Sequence, residues 1–283
     1  MTLFRGMLDD AAVFPPGLMA LSAALPAHAA HLTSSYAEMV GPLVLAAPML
    51  AKLRDNGGDT SESSEADWPE VSVTAPRGPE QVAEVVAARP PVRLRGFEVA
   101  VPAESSPAEF FAALERAGTG DVPVFVEVPR DERRPSIIAA CAKAGYQVKF
   151  RTGGVKAELY PDEAELAAAV RAVVDAGVPF KATAGLHHAL RNTDPETGFE
   201  QHGFLNLLNA VGAALDGADE TELAAVLAER DAAAVAARVS TLDAAVRARF
   251  LSFGTCSIIE PLTELAALGL VPAAVLGGQG EDA

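Results

Sequence analysis

The chain has 283 residues, half of them hydrophobic, with 22 basic against 38 acidic side chains and a formal net charge of −16. That length suits one large α/β domain or two ordinary ones, and the acidic balance excludes the basic footprint of a nucleic-acid binder. No apolar run approaches the roughly 18–20 residues of a bilayer span. The opening MTLFRGMLDDAAVF lacks the build of a secretory leader. Cys141 and Cys256 lie too far apart for a disulfide framework or a metal spacing, so a cytoplasmic setting without membrane contact is expected.

Along the chain, short β-rich runs alternate with alanine-rich helical patterns. AAVF (11–14) is the first predicted strand, with LDD (8–10) before it read as a solvated turn. PLVLAA (42–47) comes next, then DNGGDTSESSEADW (55–68), a polar low-complexity insert expected to be a flexible loop. EVSVTA (70–75), VRLRGFEVAV (92–101), VPVFVEV (122–128), YQVKFRT (146–152) and VPFKATA (178–184) follow as strands. Helical patterns separate them, the clearest at 162–177: Leu166, Val170, Val173 and Val174 share one face, Pro161 and Asp162 precede it, and Gly177 ends it. Residues 185–248 hold three more helical patterns before the last strand, RFLSFG (249–254). The tail at 277–283 is expected to fray.

Eight strands, each followed by helix or loop, predict a single-domain (β/α)8 barrel over 1–283, with the 185–248 segment as a helical embellishment over its mouth. An open doubly wound sheet fits less well, because AVFPPGLMA lacks the glycine-rich phosphate turn. Barrel parity then sorts the strand residues. Val148, Phe150, Phe180 and Ala182 suit the helix layer, which turns Lys149, Arg151, Lys181 and Thr183 inward. The same parity places Glu98 and Glu127 inside. These six side chains meet near the carboxyl ends of four consecutive strands, where barrel enzymes place their chemistry. Three cations with two carboxylates are more than a self-satisfying buried ion pair requires.

Two neighbouring lysines have a chemical use. A second ammonium and partial desolvation lower the pKa of the first, which frees an amine to attack a carbonyl carbon. Lys149, flanked by Arg151 and Lys181, is expected to be that amine, with Glu98 or Glu127 moving protons. Alternatively the cluster holds a carboxylate or phosphate without covalent chemistry, Arg151 acting as the bidentate donor.

KFRTGG and FKATAG resemble the sixth- and seventh-strand motifs of class I aldolases of the deoxyribose-phosphate aldolase type, over roughly residues 146–190. The resemblance implies a Schiff base on Lys149, with Thr152 and Gly153 as the adjoining Thr-Gly, Lys181 as the second lysine and Gly185 as the second glycine of the later motif. FGTCSI (253–258) is a weaker match to that family's phosphate turn. Phe150, Arg151 and Ala184 depart from the pattern.

Gly153, Gly154, Gly185 and Gly254 end three strands and would let backbone amides approach an anion near Arg151 or Thr255. Thr255 and Ser257 sit at a strand-to-helix turn suited to anion binding and to helix capping. His187 and His188 are adjacent, so the pair does not readily face one metal, and one of them is read as an acid–base or substrate contact. A third reading, a metal-dependent lyase or hydrolase using His187 or His188, would draw ligands from Asp10, Glu127, His187 and His202. Cys256 has no base assigned to it. The favoured route needs neither cofactor nor metal, its partner is a small anionic or carbonyl compound, and a homo-oligomer is compatible with the apolar HGFLNLLNAV face (202–211).

Overall fold

Eight parallel strands close on themselves: β1 (Leu8–Asp10), β2 (Val40–Ala46), β3 (Glu70–Ala75), β4 (Arg93–Ala100), β5 (Val124–Glu127), β6 (Gln147–Arg151) and β7 (Phe180–Thr183), then β10 (Phe250–Thr255) after a small antiparallel hairpin of β8 (Asn192–Thr193) and β9 (Glu200–Gln201). The spatial order β1-β10-β7-β6-β5-β4-β3-β2 makes a closed (β/α)8 barrel. The computed structural model describes residues 2–56 and 68–277. The loop predicted at 55–68 and the tail at 277–283 fall almost wholly outside the described residues. Among the described residues no helix is long and apolar enough to cross a membrane.

The helices form where caps and apolar stripes agree. Ser106 and Glu109 build a capping box at the start of α4 (Pro107–Arg116), and the Asp162 carboxylate caps α6 (Glu163–Asp175) by accepting from Glu165 N. The predicted stripe of α6, Leu166, Val170, Val173 and Val174, is buried against the barrel wall. Outward strand residues complete that layer: Phe180 stacks on Phe250 at 5.1 Å and packs against Phe150 at 5.1 Å.

Two expectations are corrected. The first strand is LDD, not AAVF. Leu8–Asp10 pairs with Phe253–Thr255 of β10 on one side and with β2 on the other, whereas Ala11–Phe14 turns back on itself through a Phe14 N to Ala11 O hydrogen bond. Prolines at 15 and 16 cannot donate to a ladder, so the chain must leave the sheet there. The helical segment also does not roof the mouth. α7 (Phe204–Leu215) lies on the outer wall, its Phe204 stacked on Phe253 of β10 at 4.8 Å. α8 (Glu220–Ala228), α9 (Ala232–Val239) and α10 (Ala244–Arg249) pack around it, and α8 also packs against α6. A helix enclosed by a sheet and by other helices must be apolar all round, which explains why nearly every residue from Phe204 to Ala214 is buried. The loop and hairpin of 186–203 take the place near the mouth, with Phe199 packed on Tyr160 at 5.6 Å and His202 Nε2 bonded to the Pro161 carbonyl at 2.8 Å.

Candidate active site

Register across the sheet explains how distant side chains meet. Glu127, Lys149, Lys181 and Ser252 are lateral partners on four adjacent strands, β5, β6, β7 and β10. Paired residues of a parallel sheet project from the same face, so all four point into the barrel. Two residues further toward the carboxyl ends, Arg151, Thr183, Gly254 and Asp9 form a second such row. Glu98 enters from β4, opposite Phe125.

The charged groups alternate in one chain. Asp9 Oδ2 and Glu98 Oε1 each lie 2.5 Å from Lys181 Nζ. Glu98 Oε2 lies 2.7 Å from Lys149 Nζ, which also meets Glu127 Oε2 at 2.9 Å. Glu127 Oε1 accepts from Arg151 Nε at 3.0 Å. Three cations therefore face three carboxylates, and Glu98 bridges the two lysines. Hydroxyls occupy remaining lone pairs: Ser72 donates to Glu98 at 2.7 Å and Ser252 to Asp9 at 2.8 Å. Lys181 further sits 5.2 Å from the centre of the Phe125 ring.

Burial grades the chain from inside to mouth. Asp9, Glu98, Lys149 and Lys181 are each no more than 3% exposed, while the side chains of Glu127 and Arg151 reach 18% and 39%. Burial alone pushes Glu98 up, but Lys149 and Lys181 outweigh it and hold its carboxyl far below the usual range. Glu127 is likewise raised by burial and pulled down, by Lys149 and Arg151, to about 2. Asp9 keeps the opposite sense: burial dominates the pull of Lys181, and its pKa rises. Burial lowers both lysines, yet Glu127 and Glu98 lift Lys149 above its ordinary value, and Asp9 and Glu98 lift Lys181 well above its own. This corrects the expectation of a lysine freed by its cationic neighbours. At Lys149 the like charge of Lys181 loses to Glu127 and Glu98, while Asp9, placed in a turn by the sequence reading, supplies the third carboxylate and pairs with Lys181.

The glycines after the strands serve packing. A Cβ on Gly153 would lie 2.6 Å from the Tyr160 ring and 2.9 Å from the Gly185 Cα, and one on Gly185 would lie 2.8 Å from the same ring. Gly185 also has φ +73, next to Ala184 at φ +62. A Cβ on Gly154 would collide with Leu159. Thr152 is fully buried, and its hydroxyl donates to the Ala184 carbonyl at 2.6 Å, tying the β6 and β7 loops together. Thr183 faces inward beside Gly254, whose missing Cβ leaves only Thr183 Oγ1 and Ala11 Cβ within 4 Å of that point. Thr255 Oγ1 bonds the Ser257 carbonyl at 2.9 Å, and Ser257 Oγ accepts from Glu260 N at 3.2 Å at the start of α11 (Ile259–Ala267), as a cap does.

The adjacent histidines diverge. His187 Nδ1 lies 3.3 Å from Cys256 Sγ, and burial with His188 nearby lowers its pKa. His188 Nδ1 meets Glu264 Oε1 at 2.7 Å, which raises its pKa. The metal set Asp10, Glu127, His187 and His202 is not brought together. Asp10 points outward to His28 at 3.0 Å, Glu127 holds Lys149 and Arg151, His187 meets Cys256, and His202, its pKa lowered to about 4 chiefly by burial, faces Pro161. Among the described residues no group of three or more His, Cys, Asp or Glu side chains is arranged to hold a metal ion.

No protein-family model matches this chain. No curated protein matches it either, so the aldolase resemblance has no sequence-family support. Among solved structures, a nitroalkane oxidase from Streptomyces ansochromogenes is similar at 17% identity and a TM-score of 0.34, over 75% of this chain and 64% of that one. Similarity at that level says nothing of chemistry.

Sequence reasoning missed Asp9, the two serines and the base beside Cys256. For Asp9 a signal existed. With the lysines and Arg151 turned inward against two carboxylates, one buried cation lacked a counter-charge, and an unpaired buried charge is too costly to leave standing.

Proposed function

We propose that this barrel is an imine-forming lyase of the aldolase type, acting on a small carbonyl compound that carries an anionic end. Lys149 is the amine, Lys181 the fixed ammonium, and Arg151, half-exposed at the mouth, the group that holds the anion. The observation that carries this reading is the asymmetry between the lysines. Both share Glu98, but Lys149 also touches Glu127, which reaches toward solvent, whereas Lys181 is closed in by Asp9 and Glu98.

At rest Lys149 is an ammonium, so the first event is loss of its proton to solvent, on the Glu127 side where the site reaches the mouth. The neutral nitrogen then attacks the carbonyl carbon. A C–N bond forms, and the carbonyl oxygen leaves as water after taking two protons, one from the attacking nitrogen and one from solvent on the Glu127 side of the site. The resulting iminium accepts the electron pair of the bond between the α- and β-carbons as it breaks, the β-hydroxyl gives up its proton to solvent and departs as a carbonyl, and the enamine left on Lys149 takes a proton and is hydrolysed by water. Lys181 keeps Glu98 charged throughout and so stabilises the cation forming beside it.

Borohydride reduction in the presence of short aldehydes, ketones and oxo-acids tests this. The expected result is a stable adduct on Lys149, located by peptide mass and absent from Lys149→Ala. A second reading, a non-covalent small-anion site, is favoured by the complete ion pairing of both lysines at rest. Thermal stabilisation by phosphate or citrate at millimolar levels without any trapping would select it.

A further inference from the structure

The mouth of the barrel carries a thiol that the lysine chemistry does not use. Along β10 the inward positions Ser252 and Gly254 lead to Cys256 just past the strand end, and along β7 Lys181 and Thr183 lead through the turn at Ala184 and Gly185 to His187. β7 and β10 are neighbours in the sheet, and the segments that leave their carboxyl ends bring Cys256 and His187 together on the mouth side of the Lys181–Asp9 pair. The Sγ to Nδ1 distance is 3.3 Å, and both residues are half-buried rather than sealed.

We infer that Cys256 and His187 form a thiol–imidazole pair that gives the barrel mouth a second nucleophile, directed at carbon electrophiles and independent of whether Lys149 forms an imine. Nucleophile and base within hydrogen-bond reach are the signature of an activated thiol. Burial and the nearby His188 disfavour protonation of His187, so Nδ1 has a lone pair for the thiol proton. The thiol itself is raised by burial, with Glu260 and Asp10 adding to the effect. The pair therefore rests as S–H···N, and the proton moves to Nδ1 as sulfur attacks. Cys141 is an internal control: it is fully buried in α5 (Arg134–Ala144), with its thiol pushed up to about 12 by burial.

Iodoacetamide provides the test, at one fixed neutral pH and with labelling of each cysteine followed by peptide mass. In the reaction an S–C bond forms, the C–I bond breaks, iodide leaves and the thiol proton passes to His187. Cys256 of the folded protein should react faster than the same thiol in the urea-unfolded chain, Cys141 should remain unlabelled until unfolding, and His187→Gln should slow Cys256 by about tenfold or more. Equal Cys256 rates in the parent and a folded His187→Gln, or a Cys256 that reacts more slowly folded than unfolded, overturns the proposal. The folded-against-unfolded comparison decides the matter even where His187→Gln does not fold.

Discussion

Lys181 and Lys149 occupy nearly the same register on adjacent strands, yet removing them should do different things. Lys181→Met leaves Asp9 and Glu98 buried together without their shared cation, and breaking a buried pair in this way costs about 3–5 kcal/mol. Urea unfolding should show that loss, and Asp9→Asn made in the Lys181→Met background should recover part of it by removing the unpaired charge. Lys149→Ala leaves Glu127 with Arg151 and should cost less stability while abolishing adduct formation. In Lys181→Ala, trapping should persist but move to higher pH, because Glu98 then belongs to Lys149 alone and holds its proton more tightly; Lys181→Arg should restore part of the original profile. Acid acts on the same groups. Glu98 and Glu127 have folded pKa values below their unfolded ones, so the stability that they contribute is complete above about 4.5 and is lost as pH falls below it toward the folded values. Melting temperature measured from pH 5 to pH 2 should fall through that window, and less steeply in Glu127→Gln.

At the scale of the elements, the ends of β6 and β7 are held in contact by what is missing from them. Gly153 and Gly185 press together under Tyr160, and Gly185→Ala must both place a Cβ in that contact and strain a left-handed backbone, at a combined cost of about 2–5 kcal/mol. Ala184 shows the reverse case. Its positive φ is unfavourable for an L residue, so Ala184→Gly should raise stability by up to about 1 kcal/mol, readable as an increase in melting temperature. Strand alternation made Lys149, Arg151, Lys181, Glu98 and Glu127 legible, because a two-residue period flanked by valines and phenylalanines leaves little choice of face. β1 offered no such pattern. Three residues, two of them aspartates, have poor strand propensity, and LDD becomes a strand only because β10 and β2 lie on either side of it. The helices of 185–248 were legible as helices, but their place was not, since an apolar face does not say which wall it covers.

For the molecule as a whole, closure and charge balance coincide. β2 makes room for Asp9 at Gly41, where an added Cβ would collide with Asp9 Oδ1. Gly41→Ala should therefore push the carboxylate away from Lys181, and the signature would be a loss of both stability and trapping from a substitution on a strand that contributes no charged group to the network. The seam where the sheet joins itself lies between β1 and β10, the first strand and the last in sequence. During synthesis Asp9 leaves the ribosome early, and although β2 follows soon, its strand waits for Phe250–Thr255, almost the entire length of the chain, before its second partner arrives. Glu98, Lys149 and Lys181 emerge in between, each a charge without its full set of neighbours. Any polypeptide interrupted before β10 thus carries every charged residue of the network but cannot assemble it, so reactivity at Lys149 would mark a completed chain and not a partial one.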